Sequence, residues 1–164
     1  MKSNRKISTN ISYTEATKSI TAIKKAIDNT PDAIALSNMH YIAENIFEII
    51  RVRFCVPIAV TSFYRSPKLN EAIGGSSTSQ HVKGEAMDID ADVYGVITNK
   101  YIFDFIKDNL QFDQLIWEFG DDKEPEWVHV SLTRCSENRK QILQAYKKKN
   151  WRGAYTTKYK VYEG

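Results

Sequence analysis

Three histidines and one short acidic stretch carry most of the chemistry this chain offers. The run SSTSQHVKGEAMDIDAD, from Ser76 to Asp92, holds His81 and Asp88, and His129 follows inside the short apolar run WVHVSL. Two imidazoles and one carboxylate form a set that binds a divalent metal. Three protein ligands with one position open for water are the arrangement of catalytic zinc, whereas structural zinc is closed by four protein ligands. The leading reading is therefore a zinc hydrolase.

Spacing alone leaves two readings of the central stretch. Seven positions place His81 and Asp88 on one face of a helix but on opposite faces of an uninterrupted strand. Gly84 argues against a simple helix. The expected structure is a bent loop that enters a strand near Ala86, with Asp88 and Asp90 pointing one way, Met87, Ile89 and Ala91 pointing into the core, and His81 folded back toward Asp88. In the alternative, His81 caps a turn and the aspartates are merely solvated. WVHVSL alternates, with Val128, Val130 and Leu132 on one face and Trp127, His129 and Ser131 on the other. That puts His129 where a metal ligand on a sheet would sit, although an unliganded strand histidine has the same pattern. His40 has no suitably spaced carboxylate or cysteine beside it and reads as a surface or satisfied core residue.

The elements that must position these groups follow from periodicity. Residues 12–29 read as a first helix, with a Ser12 cap and Glu15 three positions on. A second helix is expected from about Ser37 to Phe54, with Met39, Ile42, Ile46, Ile49 and Ile50 inward. IAVTSFYR alternates as a strand ended by Ser66 and Pro67, and the segment from Leu69 to Gln80, with Gly74 and Gly75, favours a turn or loop. TNKYIFDFIKDNL reads as a third helix from Thr98, followed by strands at QLIWEFG and WVHVSL. Residues 137–148 read as helical. The segment from 150 onward reads as a tail that adds an edge strand, and 1–11 as an N-terminal extension of a single domain spanning 1–164.

Composition narrows the class. A chain of 164 residues with 42% apolar and 12% aromatic content suits one compact domain with a real core. The net charge of +3 is modest, and cations are scattered apart from Lys147–Lys149, so the footprint of a nucleic-acid binder is weak and no nucleic-acid partner is expected. MKSNRKISTNISYTEA is followed by no apolar stretch, so neither a secretory signal nor a membrane span is expected, and the chain is placed in the cytoplasm on synthesis. Cys55 and Cys135 lack CxxC spacing, form at most one disulfide, and are expected as small buried apolar residues.

These residues carry a resemblance. SQHVKGEAMD is similar to the SxHxxGxAxD signature of the M15 zinc peptidases, the group of D-alanyl-D-alanine carboxypeptidases and phage endolysins. YRSPKLNEAIGGSSTSQH upstream, and LIWEFG with EWVHVS downstream, resemble the small phage and prophage branch, so the similarity spans roughly residues 12 to 145. It implies an α+β fold, a small mainly antiparallel sheet flanked by helices and shared with hedgehog domains. It implies Zn2+ held by His81, Asp88 and His129. Arg65 matches the family arginine that contacts substrate, and Glu126 matches the acid three residues before the last histidine. The implied activity is cleavage of peptidoglycan stem peptides, either removing a terminal D-alanine or cutting an internal bond between residues of mixed chirality. A monomer acting at the cell wall after release is expected.

Two acids compete for the role of general base, Glu118 in LIWEFG and Glu126 in EPEWVHVS. Glu126 is the choice here. An unbroken strand would turn it away from His129, but Pro125 suits the bend before a strand, from which Glu126 could reach over. Glu118 lies in a regular apolar run, where a carboxylate more often pairs with a cation or fixes a ligand histidine. Ser79 is a candidate loop-stabilising hydroxyl, Asp90 a group that orients a ligand or meets a substrate ammonium, and Trp127 a pocket wall. Two rivals stand beside this reading. A non-haem iron oxygenase also uses two histidines and a carboxylate, but position 83 is Lys83 where such enzymes usually carry the acid. A non-catalytic zinc module that binds cell-wall peptide or a protein partner is the second.

Overall fold

The structure, a computed structural model, describes residues 5–164. The first four residues of the expected N-terminal extension lie outside the described residues. Residues 5–11 are tied in rather than trailing: Lys6 bridges Ser12, and Ile7 and Ile11 are buried in the core.

The expected first helix is two short ones, α1 (Tyr13–Thr17) and α2 (Ile20–Lys24). Ser12 caps α1 by accepting from the Glu15 amide, and Ser19 does the same for Ala22, so the chain breaks and restarts at Lys18. The second helix starts four residues earlier than the periodicity predicts, because Asp32 caps it at Ala35. It runs as α3 (Ala33–Ile42), a π-helical turn (Ala43–Phe47) and α4 (Glu48–Phe54). The π turn inserts a residue into the helical repeat and shifts the buried stripe. Met39, Ile42, Ile46 and Ile50 are fully buried as expected, but Ile49 is 40% exposed.

After β1 (Ala59–Ser62), Pro67 does not merely end the strand. It opens α5 (Pro67–Ala72), capped by Ser66, where a loop was expected. Proline suits the first turn of a helix because its missing N–H would have had no intrahelical partner there. β2 (Ala86–Asp90), α6 (Asn99–Asn109), β3 (Gln114–Glu118) and β4 (Trp127–Ser131) fall where the patterns place them.

Residues 137–148 are the largest departure. Instead of a helix they hold β5 (Gln141–Lys149), which pairs parallel with β3 and antiparallel with β6 (Tyr155–Val161). Gln, Leu, Ala and Lys favour helix locally. Two long ladders of backbone hydrogen bonds, one on each side, override that preference. The tail expected from 150 onward thus supplies β6.

The result is an α+β fold whose six-stranded sheet has the order β1-β2-β4-β3-β5-β6, antiparallel except for β3 with β5. Met87, Ile89, Leu115, Trp117, Val128 and Val130 point to one face and pack with the α3–α4 and α6 residues in a single core. The alternate residues of the same strands point to the other face. Cys55 and Cys135 are both exposed and unpaired, not buried as expected: Cys55 caps α4 in a left-handed conformation, a position at the helix end that packing does not cover.

Candidate active site

Two registers bring the central groups together. Asp88 on β2 is paired with His129 on β4, which is paired with Ile116 on β3, so Asp88 and His129 stand side by side on the face opposite the core. His81 comes from the 3-10 turn Gln80–Lys83 that leads into β2. The turn ends at Gly84, with φ +71°, and a Cβ there would lie 2.3 Å from the Ala35 carbonyl oxygen. Only glycine allows both the left-handed backbone and this close approach to α3. His81 is held on both sides by the segment after β1: its Nδ1 donates to the Phe63 carbonyl at 2.7 Å, and its own carbonyl accepts from the Arg65 amide at 3.3 Å.

His81 Nε2 lies 3.3 Å from Asp88 Oδ1 and 3.3 Å from His129 Nδ1, and His129 Nδ1 lies 2.8 Å from Asp88 Oδ1. All three side chains are buried. Four donors arranged tetrahedrally at zinc bond lengths stand about 3.3 Å apart, so these atoms fit one such ion with little adjustment. The protonation pattern fits as well. Because the Phe63 carbonyl only accepts, His81 carries its proton on Nδ1 and presents a bare lone pair at Nε2, and burial pushes its pKa down, against charging. A lone pair facing a carboxylate is repulsive unless a cation or proton lies between them. Without a metal, a proton shared with His81 and His129 plays that part: burial would raise the Asp88 pKa, but the attraction and hydrogen bonds of protonated imidazoles more than offset it and hold the carboxyl below its usual range. The outer oxygen, Oδ2, takes Arg65 Nη2 at 2.7 Å, while Arg65 Nε donates to Ser62 Oγ at 2.9 Å.

A cleft opens over this cluster, lined by Arg65, Ser79, Glu118, Phe119, Trp127 and Tyr159 among others. Glu118, the last residue of β3, is buried beside Trp127, its register partner. Burial raises its carboxyl to about 7, against the pull of His129. The chain turns immediately beyond it, through Phe119 at φ +55° and Gly120 at φ +69°, where a Cβ would meet the Glu124 carbonyl oxygen at 2.0 Å.

Two sequence-chosen residues are not brought to the cleft. Glu126 extends the β4 ladder instead of leaving it: its amide donates to the Glu118 carbonyl at 2.9 Å, and its carbonyl accepts from Asn99 at 3.0 Å. Strand alternation is therefore kept, Trp127 and His129 face the cleft, and the Glu126 side chain is exposed outside it. Asp90 points to the cleft face of β2 but sits at its far end, where its carboxylate accepts from Asn99 and from the Asp92 amide. His40 is likewise away from the cluster, its Nδ1 donating to the Ile7 carbonyl at 2.6 Å. Sequence reasoning missed Leu143, Thr157 and Tyr159, which line the cleft from β5 and β6. Their only signal was alternation in a segment read as helix and tail.

Among the described residues no helix is long and apolar enough to cross a membrane. No curated protein matches the chain. A family model described as Peptidase M15 matches residues 9–131, a span that contains the clustered His81, Asp88 and His129 together with Arg65 and Glu118. The chain belongs to the peptidase M15 family of metallopeptidases.

Proposed function

We propose that the protein is a zinc peptidase that hydrolyses peptidoglycan stem peptides, in the manner of a D-Ala-D-Ala carboxypeptidase or an endolysin that cuts a bond between residues of mixed chirality. The observation that carries the reading is the convergence of His81 Nε2, Asp88 Oδ1 and His129 Nδ1 at the floor of an open cleft, with a buried carboxyl at its wall. Those three atoms would hold the ion and leave one side open to the cleft. When bound, zinc supplies Lewis acidity toward water and toward a peptide carbonyl.

The chain's own residues divide the remaining work. Glu118 is assigned as general base, in place of Glu126, because it lines the cleft and burial raises its proton affinity into the useful range. It accepts a proton from the attacking water and returns it to the leaving amine. Arg65 holds Asp88 in place through Nη2, and its Nη1 is left for a substrate carboxylate or the developing oxyanion. His81 is fixed in one tautomer by the Phe63 carbonyl. Trp127 offers a flat wall, and Ser79 a hydroxyl at the mouth.

Digestion of purified peptidoglycan with and without a chelator, with products identified by mass spectrometry, tests this reading. Chelator-sensitive release of stem-peptide fragments is expected, about one zinc per chain, and loss of that zinc in His81→Ala, Asp88→Ala and His129→Ala. Full metal retention in all three variants, or iron-dependent oxygen consumption by the wild type, would sink it.

A further inference from the structure

The β5–β6 hairpin lies past the segment matched to the family, and its composition differs from the rest of the chain. The 21 residues from Gln141 to Val161 carry six lysines and arginines and no acid, a net +6, against −3 for the other 143 residues. None of these six cations is in an ion pair with any of the described residues. In the linear sequence only Lys147–Lys149 form a run. The antiparallel pairing of Lys147 with Thr157 and of Gln144 with Lys160 folds the later cations back beside them.

One face of this hairpin is continuous with the cleft. Trp127, Glu118, Ala145 and Tyr159 are successive register partners across β4, β3, β5 and β6, so they form one row on the cleft face. Ala145 is the small member of that row and is buried, which leaves room over it for the Tyr159 ring to reach the cleft it lines. By strand alternation the same face carries Lys147 and Lys149 on β5 and Tyr155 and Thr157 on β6. Lys147 Nζ sits 5.0 Å from the centre of the Phe119 ring, at the cleft wall, and Lys149 Nζ lies 5.8 Å from that of Tyr155. From the Ala145–Tyr159 pair to the Lys149–Tyr155 pair is four residues, about 14 Å of extended chain. Lys148, Lys158 and Lys160 point to the opposite face.

From this we infer that the cleft face of the hairpin is a docking track for the polymeric substrate, with Lys147 and Lys149 receiving the free carboxylates of peptidoglycan stem peptides while Tyr159 guides the chain toward Glu118. The inference rests on the proposed substrate class. Charge complementarity selects an anionic occupant, continuity with the cleft makes that occupant the substrate itself, and the track's length suits a short extended peptide. Lysines that merely protect the open edge of the sheet would be expected on β6, whereas Lys147 and Lys149 lie on β5, inside the edge.

The test is a binding measurement that needs no turnover, so it can fail independently of the peptidase reading. Full-length Glu118→Gln protein, loaded with zinc, is sedimented with sacculi stripped of phosphate-containing polymers, at low and high salt. Binding that weakens with salt is expected, with a loss of about tenfold in the Lys147→Ser/Lys149→Ser variant, since two exposed charge contacts contribute on that order. Lys158→Ser/Lys160→Ser, on the far face, should change binding by less than about threefold. Sacculi whose carboxyls have been amidated should bind as weakly as the Lys147/Lys149 variant binds native ones. Equal losses from the two lysine pairs, undiminished binding to amidated sacculi, or tighter binding to DNA or to anionic vesicles would overturn the assignment.

Discussion

The centre of the sheet and its β5–β6 edge are built from the same strand alternation and reach opposite results. At the centre, Asp88, His129 and Glu118 are buried, each fixed by a register partner or a hydrogen bond, and both faces of the strands are covered. At the edge, every residue of β6 is exposed, and tyrosines and lysines stand in solvent. The difference lies in what covers the strand. Where helices close one face and the walls of a cleft shield the other, a polar side chain must find a partner or shift its proton affinity. Where solvent reaches the side chains, charges stay ionised at little cost. The first condition suits a metal and a tuned acid; the second suits contact with a large, variable molecule.

The sharpest way to break this contrast is at its two competing acids. Glu118 and Glu126 are eight residues apart and joined by a backbone hydrogen bond, yet one is buried in the cleft and the other is exposed outside it. Glu118→Gln is expected to lower kcat by about 10² to 10⁴ with zinc content unchanged, the usual range for a general base. Glu126→Gln should stay within about twofold, as an exposed substitution away from the reacting groups. Steady-state kinetics with metal analysis decide it, and the reverse ordering would return the base to the bend before β4.

A smaller effect follows from the acidity of Glu118 in protein stripped of metal. Its folded value of about 7 stands above its ordinary value of 4.5, so the folded state holds the proton more tightly than the unfolded state. Stability from this group is fully present below about pH 4.5 and is lost as pH rises through about 7. His81, whose pKa is lowered, contributes in the opposite sense as pH rises toward 6.5, so the wild-type curve alone is ambiguous. The difference between wild type and Glu118→Gln isolates the glutamate. Denaturant unfolding in chelator should show the wild type losing up to about 3 kcal/mol relative to the variant between pH 4 and pH 8. A flat difference would mean that the carboxyl is better solvated than its buried place in the cleft implies.

Much of the sheet centre was legible because alternation is a local signal. WVHVSL and AMDID each announce a core face and a polar face, and the structure places His129 and Asp88 on the polar one. The glycine that lets His81 fold back was visible too, though its close contact with Ala35 was not. What could not be read depended on neighbours distant in sequence. β5 is a strand because β3 and β6 flank it, although its own residues lean toward helix. Pro67 marks a boundary in either reading, and only Ser66 turning its hydroxyl to the Leu69 amide makes it the start of α5. Where the Glu126 side chain points depended on whether the bend at Pro125 breaks the ladder. Asn99 settles that by holding the Glu126 carbonyl from α6, a contact across 27 residues.

The smallest expected effect is at the hairpin turn. Trp151 is 86% exposed, and the Arg152 guanidinium lies 4.4 Å from the centre of its ring. The turn is held without that ring: the Asn150 amide donates to the Ala154 carbonyl at 2.8 Å, and Asn150 Oδ1 accepts from the Arg152 and Ala154 amides at 2.9 Å each. An exposed cation–π contact contributes about 0.5 kcal/mol or somewhat more, offset in part by the entropy of holding a long side chain. Trp151→Ala should therefore change unfolding free energy by less than about 0.5 kcal/mol, within the usual range for surface positions. Chemical denaturation checks this directly. A loss of several kcal/mol, the size seen when a buried aromatic is truncated, would mean that Trp151 is covered in solution and that the hairpin belongs with the buried centre of the sheet, not with its open edge.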